Sequence, residues 1–126
     1  MTLMYYTKEH EWVRAGEDDD VNVVTVGITR YAADQLGDVV FVDVPDIGAH
    51  GSKDTDCAVV ESVKAASDVY WALTGEIVEV NQDVVDDPSI VNEDPEGRGW
   101  FYKMKCTDLA ELNQLMNEEQ YNEFIS

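Results

Sequence analysis

Basic residues are scarce in this chain: eight Lys plus Arg face 27 Asp plus Glu, a formal net charge of -19 over 126 residues. So negative a surface repels phosphate backbones and anionic bilayers, which argues against nucleic acid and membrane as partners. It suits brief docking on positively charged enzyme surfaces, because complementary potentials raise encounter rates, and equally suits a surface kept soluble in the cell. Cysteine is scarcer still. Cys57 and Cys106 are far apart, with no metal-type spacing or nearby histidine partner, so two free thiols in a reducing compartment are expected. No stretch approaches the roughly 20 apolar residues that cross a bilayer. The start, "MTLMYYTKEHEWV", has no charged segment followed by an apolar run, so a soluble, unprocessed chain is expected. No nucleophile and base pair, metal cluster or phosphate loop is apparent, which disfavours an enzyme.

At 14.1 kDa the chain fits one domain with a core of its own. "HEWVRAG" and "VNVVTVG" read as a hairpin of two strands joined by the acidic loop "EDDD". "ITRYAADQLG" predicts a short helix with Thr29 as N-cap and Gly37 as its stop. "DVVFVDV" and "GEIVEVN" are expected strands, as is "WFYKMKC", whereas "DPSIVNEDPEGRG" reads as a loop. The tail from Asp108 has Leu109, Leu112, Leu115 and Met116 at helical spacing and predicts one broken helix or two short ones. "GDVVFV" and "GEIVEV" echo each other, hinting at two similar half-sheets with residues 59–67 between them.

Those residues, "VVESVKAAS", are where pattern reading divides. Val59, Val63, Ala66, Tyr70 and Leu73 follow a 4-3-4-3 spacing that favours a helix, yet "CAVV" and "VYWAL" also read as two short strands about a turn. Within this stretch stands Lys64, the only basic residue between Asp54 and Gly97. It is read in four ways: a solvated turn lysine, a nucleophile or base, an anion-binding residue, or an attachment site. A lysine nucleophile needs burial or a nearby cation, whereas the neighbours here are Glu61 and Asp68. Anion binding wants Arg or a backbone nest, and none is apparent. Attachment of a cofactor through an amide asks only for an exposed side chain with small flanks, which Ser62, Ala65, Ala66 and Ser67 provide.

"HEWV", "VGIT", "LGDVVFVDVP", "VVESVKAASDVY", "GEIVEVN", "NEDP" and "GW" occur in an order and spacing that resemble the glycine cleavage system H proteins, almost end to end. The resemblance implies a mainly β, lipoyl-domain-like β-sandwich (a barrel-sandwich hybrid) with a short internal helix. It implies one lipoyl-carrier domain over residues 1–126, with a C-terminal helical segment from about residue 108. Under it, the helical spacing of residues 59–73 yields to a hairpin with Lys64 at its tip.

Lys64 is then the site of lipoic acid in amide linkage, and Glu61 and Gly75 match positions that lipoyl domains present to attaching enzymes. Glu11, Ile28 and Asp68 resemble residues of a cleft that shelters the aminomethyl-loaded arm. Glu11 and Asp68 are equally readable as ordinary surface acids, and Gly75 as a turn glycine. Biotin carriers place methionines around their lysine; "SVKAA" has none. The partners implied are a pyridoxal-phosphate glycine decarboxylase, a tetrahydrofolate-dependent aminomethyltransferase, dihydrolipoamide dehydrogenase, and a lipoate ligase or octanoyltransferase. A bacterial cytoplasm is expected over a mitochondrial matrix. A relay that donates its lipoyl or octanoyl group to other complexes stays open beside the shuttle. Trp71 and Ala72 depart from the family's small polar residue and proline, so altered packing is expected there, and "DPEGRGW" departs from its usual tyrosine-containing loop.

Overall fold

A computed structural model describes residues 3–16 and 20–126. Most of the acidic loop "EDDD", residues 17–19, lies outside the described residues. The front of the chain forms β1 (Leu3–Tyr6), β2 (Glu11–Ala15) and β3 (Val23–Ile28), all antiparallel neighbours. The polar start therefore contributes a strand that no local pattern announces. Helix α1 (Arg30–Leu36) follows, with Thr29 Oγ1 accepting from Ala32 N and Gly37 N donating to Ala33 O, as the capping residues predict.

Strand β4 (Val39–Asp43) leads to β5 (His50–Gly51), β6 (Asp56–Ser62), β7 (Ala66–Tyr70) and β8 (Gly75–Val80). Two short helices, α2 (Gln82–Asp86) and α3 (Ser89–Glu93), precede β9 (Tyr102–Cys106). The expected loop at "DPSIVNEDPEGRG" thus holds a helix. Its first turn starts after Pro88, which is compatible with a helix start, and it drives Val91 fully into the core. The tail is two short helices, a 3₁₀ turn Leu109–Gln114 and α4 (Glu118–Ile125) with an Asn117–Gln120 capping box. More than one internal helix is therefore present, while the fold remains mainly β.

Strands order β1-β2-β3-β9-β8-β5 in one sheet and β4-β6-β7 in the other. Val13, Val24, Val26, Ile77 and Met104 from the larger sheet share a core cluster with Val42, Val60 and Val69 from the smaller. The echoing strands β4 and β8 fall in different sheets, with the β6–β7 hairpin between them in sequence. A second cluster stacks Tyr121 of α4 on Tyr6 of β1, ring centroids 4.6 Å apart, over buried Trp12.

The helical spacing in residues 59–73 loses to tertiary pairing. β6 and β7 pair over Asp56↔Tyr70 to Glu61↔Ala66, which brings Ala58, Val60 and Val69 to the core. Trp71 then crosses to the larger sheet's side and packs on Gly51, where any Cβ would lie 1.9 Å from the indole. That pairing of a bare glycine with a buried tryptophan is how the departure at Trp71 is accommodated. At the opposite edge of the small sheet, the Asn92 side chain accepts from Val39 N (2.8 Å) and donates to Gly37 O (2.8 Å).

Candidate functional site

The turn at the tip of the β6–β7 hairpin contains no glycine, and a serine side chain does the work instead. Ser62 Oγ accepts from Lys64 N (3.1 Å) and Ala65 N (3.2 Å), and Ser62 N donates to Ala65 O (2.8 Å). Such local side-chain bonds stand in for the backbone preferences that glycine or asparagine usually supply. Val63 N donates to Asp38 O (3.0 Å) and ties the tip to the segment entering β4. Lys64 is left exposed, with its aliphatic stem beside Gly37: a Cβ there would lie 3.3 Å from Lys64 Cε. Gly37 has φ 78°, ψ -153°, a region other residues rarely adopt, so the same glycine ends α1 and leaves room for the lysine. Glu61 is exposed at the end of β6, next to this turn.

Alongside the hairpin runs a cleft of about 410 Å³. One wall is Val60, Ser67, Asp68, Val69 and Tyr70 of the hairpin; facing it are Glu11, Ile28 and residues of α1, including Tyr31 and Leu36. Glu11, Ile28 and Asp68 are therefore brought together. Gly75 is not among them: it is buried at the start of β8 in the other sheet, where a Cβ would lie 2.1 Å from Lys105 O. Its packing duty is a close approach between β8 and β9.

Glu11 is not the surface acid that composition allows, being only 2% exposed. Thr7 Oγ1 donates to its Oε1 (2.7 Å), Tyr70 N donates to its Oε2 (3.2 Å), and Glu11 N donates to Thr7 Oγ1 (3.1 Å). Burial lifts the Glu11 carboxyl to about 7, against the lowering pull of the Thr7 and Tyr70 bonds. Residues 7–11 form a tight loop, with Thr7 N donating to Glu11 O (2.9 Å) and His10 held at φ 68°. His10 also lines the cleft; its Nδ1 is 2.8 Å from the Tyr121 hydroxyl, which lies 2.8 Å from Thr29 Oγ1. Helix α4 is thereby tied to the 7–11 loop and to the N-cap of α1. Burial lowers the His10 pKa.

Both cysteines are free thiols. Burial pushes Cys57 up to about 12 and Cys106 up to about 11, so neither offers a thiolate near neutral pH.

The sequence assigns no site role to Thr7, Glu9, His10, Tyr31 or Tyr70. Of these, His10 and Tyr70 lie in motifs of the family resemblance, "HEWV" and "VVESVKAASDVY", which give them no chemistry. Thr7 acts through a turn whose partner is four residues away, which no periodicity reports.

A sequence model described as Glycine cleavage H-protein matches residues 4–126. The chain belongs to the glycine cleavage H-protein family. It is 54% identical to the glycine cleavage system H protein of Xanthobacter autotrophicus over 99% of this chain and 97% of that one. It is 51% identical to the H protein of Thermotoga maritima, over 100% and 98% of the two. The crystal structure of a glycine cleavage system H protein from Mycobacterium marinum superposes with a TM-score of 0.85 at 39% identity, covering 95% of this chain and 94% of that one. H proteins are carriers, not catalysts, and bear lipoate covalently on a lysine. This H-family chain is the lipoyl carrier of the glycine cleavage system and works with the system's other components.

Proposed function

We propose that Lys64 bears the lipoyl group and that its arm, when loaded, lies in the cleft walled by Glu11, Ile28 and Asp68. The observation that carries this reading is that a single hairpin supplies both the exposed lysine and one wall of the cleft. When bound, lipoate supplies a dithiolane that takes up a one-carbon amine from glycine and passes it on.

The chain's own residues hold and shelter. Lys64 keeps the arm on a tip fixed by Ser62 rather than on a floppy loop. Ile28 and Val60 give the cleft an apolar floor, and Glu9, Glu11 and Asp68 give it carboxyl groups to face a cationic amine. An arm lying between the hairpin and α1 is shielded from water on those two sides. Glu61 belongs to the surface that a lipoate ligase or octanoyltransferase reads. Gly75 serves recognition only indirectly, by keeping β8 in register with β9. The setting is a cytoplasm, with no membrane partner; among the described residues no helix is long and apolar enough to span one.

Incubation with lipoate, ATP and a lipoate ligase should raise the intact mass by one lipoyl group, and Lys64→Ala should abolish the gain with an unchanged circular dichroism spectrum. Modification at another lysine would overturn the assignment. The lipoylated protein should then support glycine–bicarbonate exchange with the decarboxylase.

A further inference from the structure

The motif "LGDVVFVDVP" is not spent on the core alone. A strand packed on one face alternates, yet β4 reads buried, exposed, exposed, buried, exposed. A β-bulge between Val39 and Phe41 breaks the register with β6 and turns two consecutive apolar residues outward, Val40 at 55% and Phe41 at 47% exposure. Bulges beside functional sites commonly re-aim side chains in this way. Phe41 pairs across the sheet with Glu61, and Glu61 pairs with Ala66, so the three form one row directly behind the turn that holds Lys64. Val63, 67% exposed, is fastened next to this row through Asp38. Exposed acids accompany it: Asp38 and Asp43 flank Val40 and Phe41 along the chain, and Glu61 is in the row itself.

We propose that Val40, Phe41 and Val63 form the docking surface for the enzyme that acylates Lys64, which meets it with an apolar centre and a cationic rim. Reach singles out this partner. An enzyme acting on the bare lysine can be separated from the hairpin by no more than one lysine side chain, so it must rest on the residues flanking the tip. Enzymes that act on the finished arm have its extra length and can dock further away. Charge fits as well, since carboxylates beside an apolar centre orient a cationic partner. The inference rests on Lys64 being the acylated residue.

The test measures initial lipoylation rates by intact mass for the wild type, Phe41→Ser, the double variant Val40→Ser/Phe41→Ser, and Ile47→Ser, which removes an apolar residue that is more exposed, at 64%, and lies outside this row. The double variant should lose at least tenfold in kcat/KM of the ligase, chiefly through KM, Phe41→Ser several-fold, and Ile47→Ser less than twofold. Phe41→Leu should retain the wild-type rate. Each protein, loaded to completion, should be reduced by dihydrolipoamide dehydrogenase, with NADH supplied as the electron donor, within twofold of wild type. Unchanged lipoylation of both Phe41→Ser and the double variant would overturn the proposal. So would an equal loss in Ile47→Ser, or an equal loss of dehydrogenase turnover. A wild type that is never acylated at Lys64 would instead overturn the attachment itself.

Discussion

The tip of the β6–β7 hairpin and the cleft along its flank are built on opposite terms. At the tip, Lys64 is exposed, its backbone N–H donating to Ser62 Oγ and its stem lying beside a glycine. At the cleft, Glu11 is enclosed, bonded on both carboxyl oxygens, and displaced to about 7. Attachment needs access and a defined position, because the activated acyl group comes from another enzyme. Sheltering a reactive cargo needs controlled charge and dryness, which burial provides at a cost in stability. One hairpin can do both because β-pairing isolates its tip from its flank.

That cost gives the largest expected effect. A carboxyl with a folded-state pKa near 7 and an unfolded value of 4.5 binds more protons when folded, so stability falls as pH rises from about 4.5 to 7. The corresponding loss is about 3 kcal/mol at most, from 1.36 kcal/mol for each pKa unit. Glu11→Gln should therefore flatten the stability curve between pH 5 and 8 in urea titrations and leave the lipoylation rate at Lys64 unchanged; a retained slope would place the titration elsewhere.

At the tip, Gly37→Ala tests position rather than charge. It should cost about 1–3 kcal/mol for the unfavourable φ and ψ, measured by thermal melting, and should slow lipoylation by crowding the lysine stem. Loss of stability with an unchanged acylation rate would separate the two duties of this glycine.

Thr7→Val removes the hydroxyl that favours the ionised Glu11 and keeps the shape of the side chain. The Glu11 carbon resonance should then titrate at higher pH than in the wild type, with a destabilisation of about 1–3 kcal/mol above neutral pH from the partner left buried. The smallest effect belongs to Ser62→Ala, about 1 kcal/mol or less because the bonds are solvent-exposed. Its acylation rate should fall more than its stability does.

The sequence discloses some of this and hides the rest for physical reasons. Helix α1 is legible because both its signals are local: a threonine hydroxyl at one end and a glycine at the other. Strands β3, β4, β8 and β9 are legible as β-branched runs between turn residues. Lys64 stands out by isolation, and the family resemblance gives it a use. The hairpin around it is illegible from periodicity, since a 4-3-4-3 spacing satisfies a helix and the turn relies on a serine hydroxyl in place of a glycine. β1 escapes notice because its order comes from β2 and from a bridge between Tyr6 and Met116, 110 positions along the chain. Glu11 can be suggested by resemblance, but its enclosure depends on Thr7, Tyr70 and α1 meeting in space.

Asn92 carries a consequence beyond the hydrogen bonds of Gly37 and Val39. Its amide presents one acceptor and one donor to the rim of the small sheet, as a residue of a neighbouring strand would. The outermost strand thereby begins already paired, and an extended segment from another molecule finds no open ladder where the strand starts. For a protein that must touch several enzymes in turn and leave each of them, a side chain from α3 guards against the one kind of contact that does not let go.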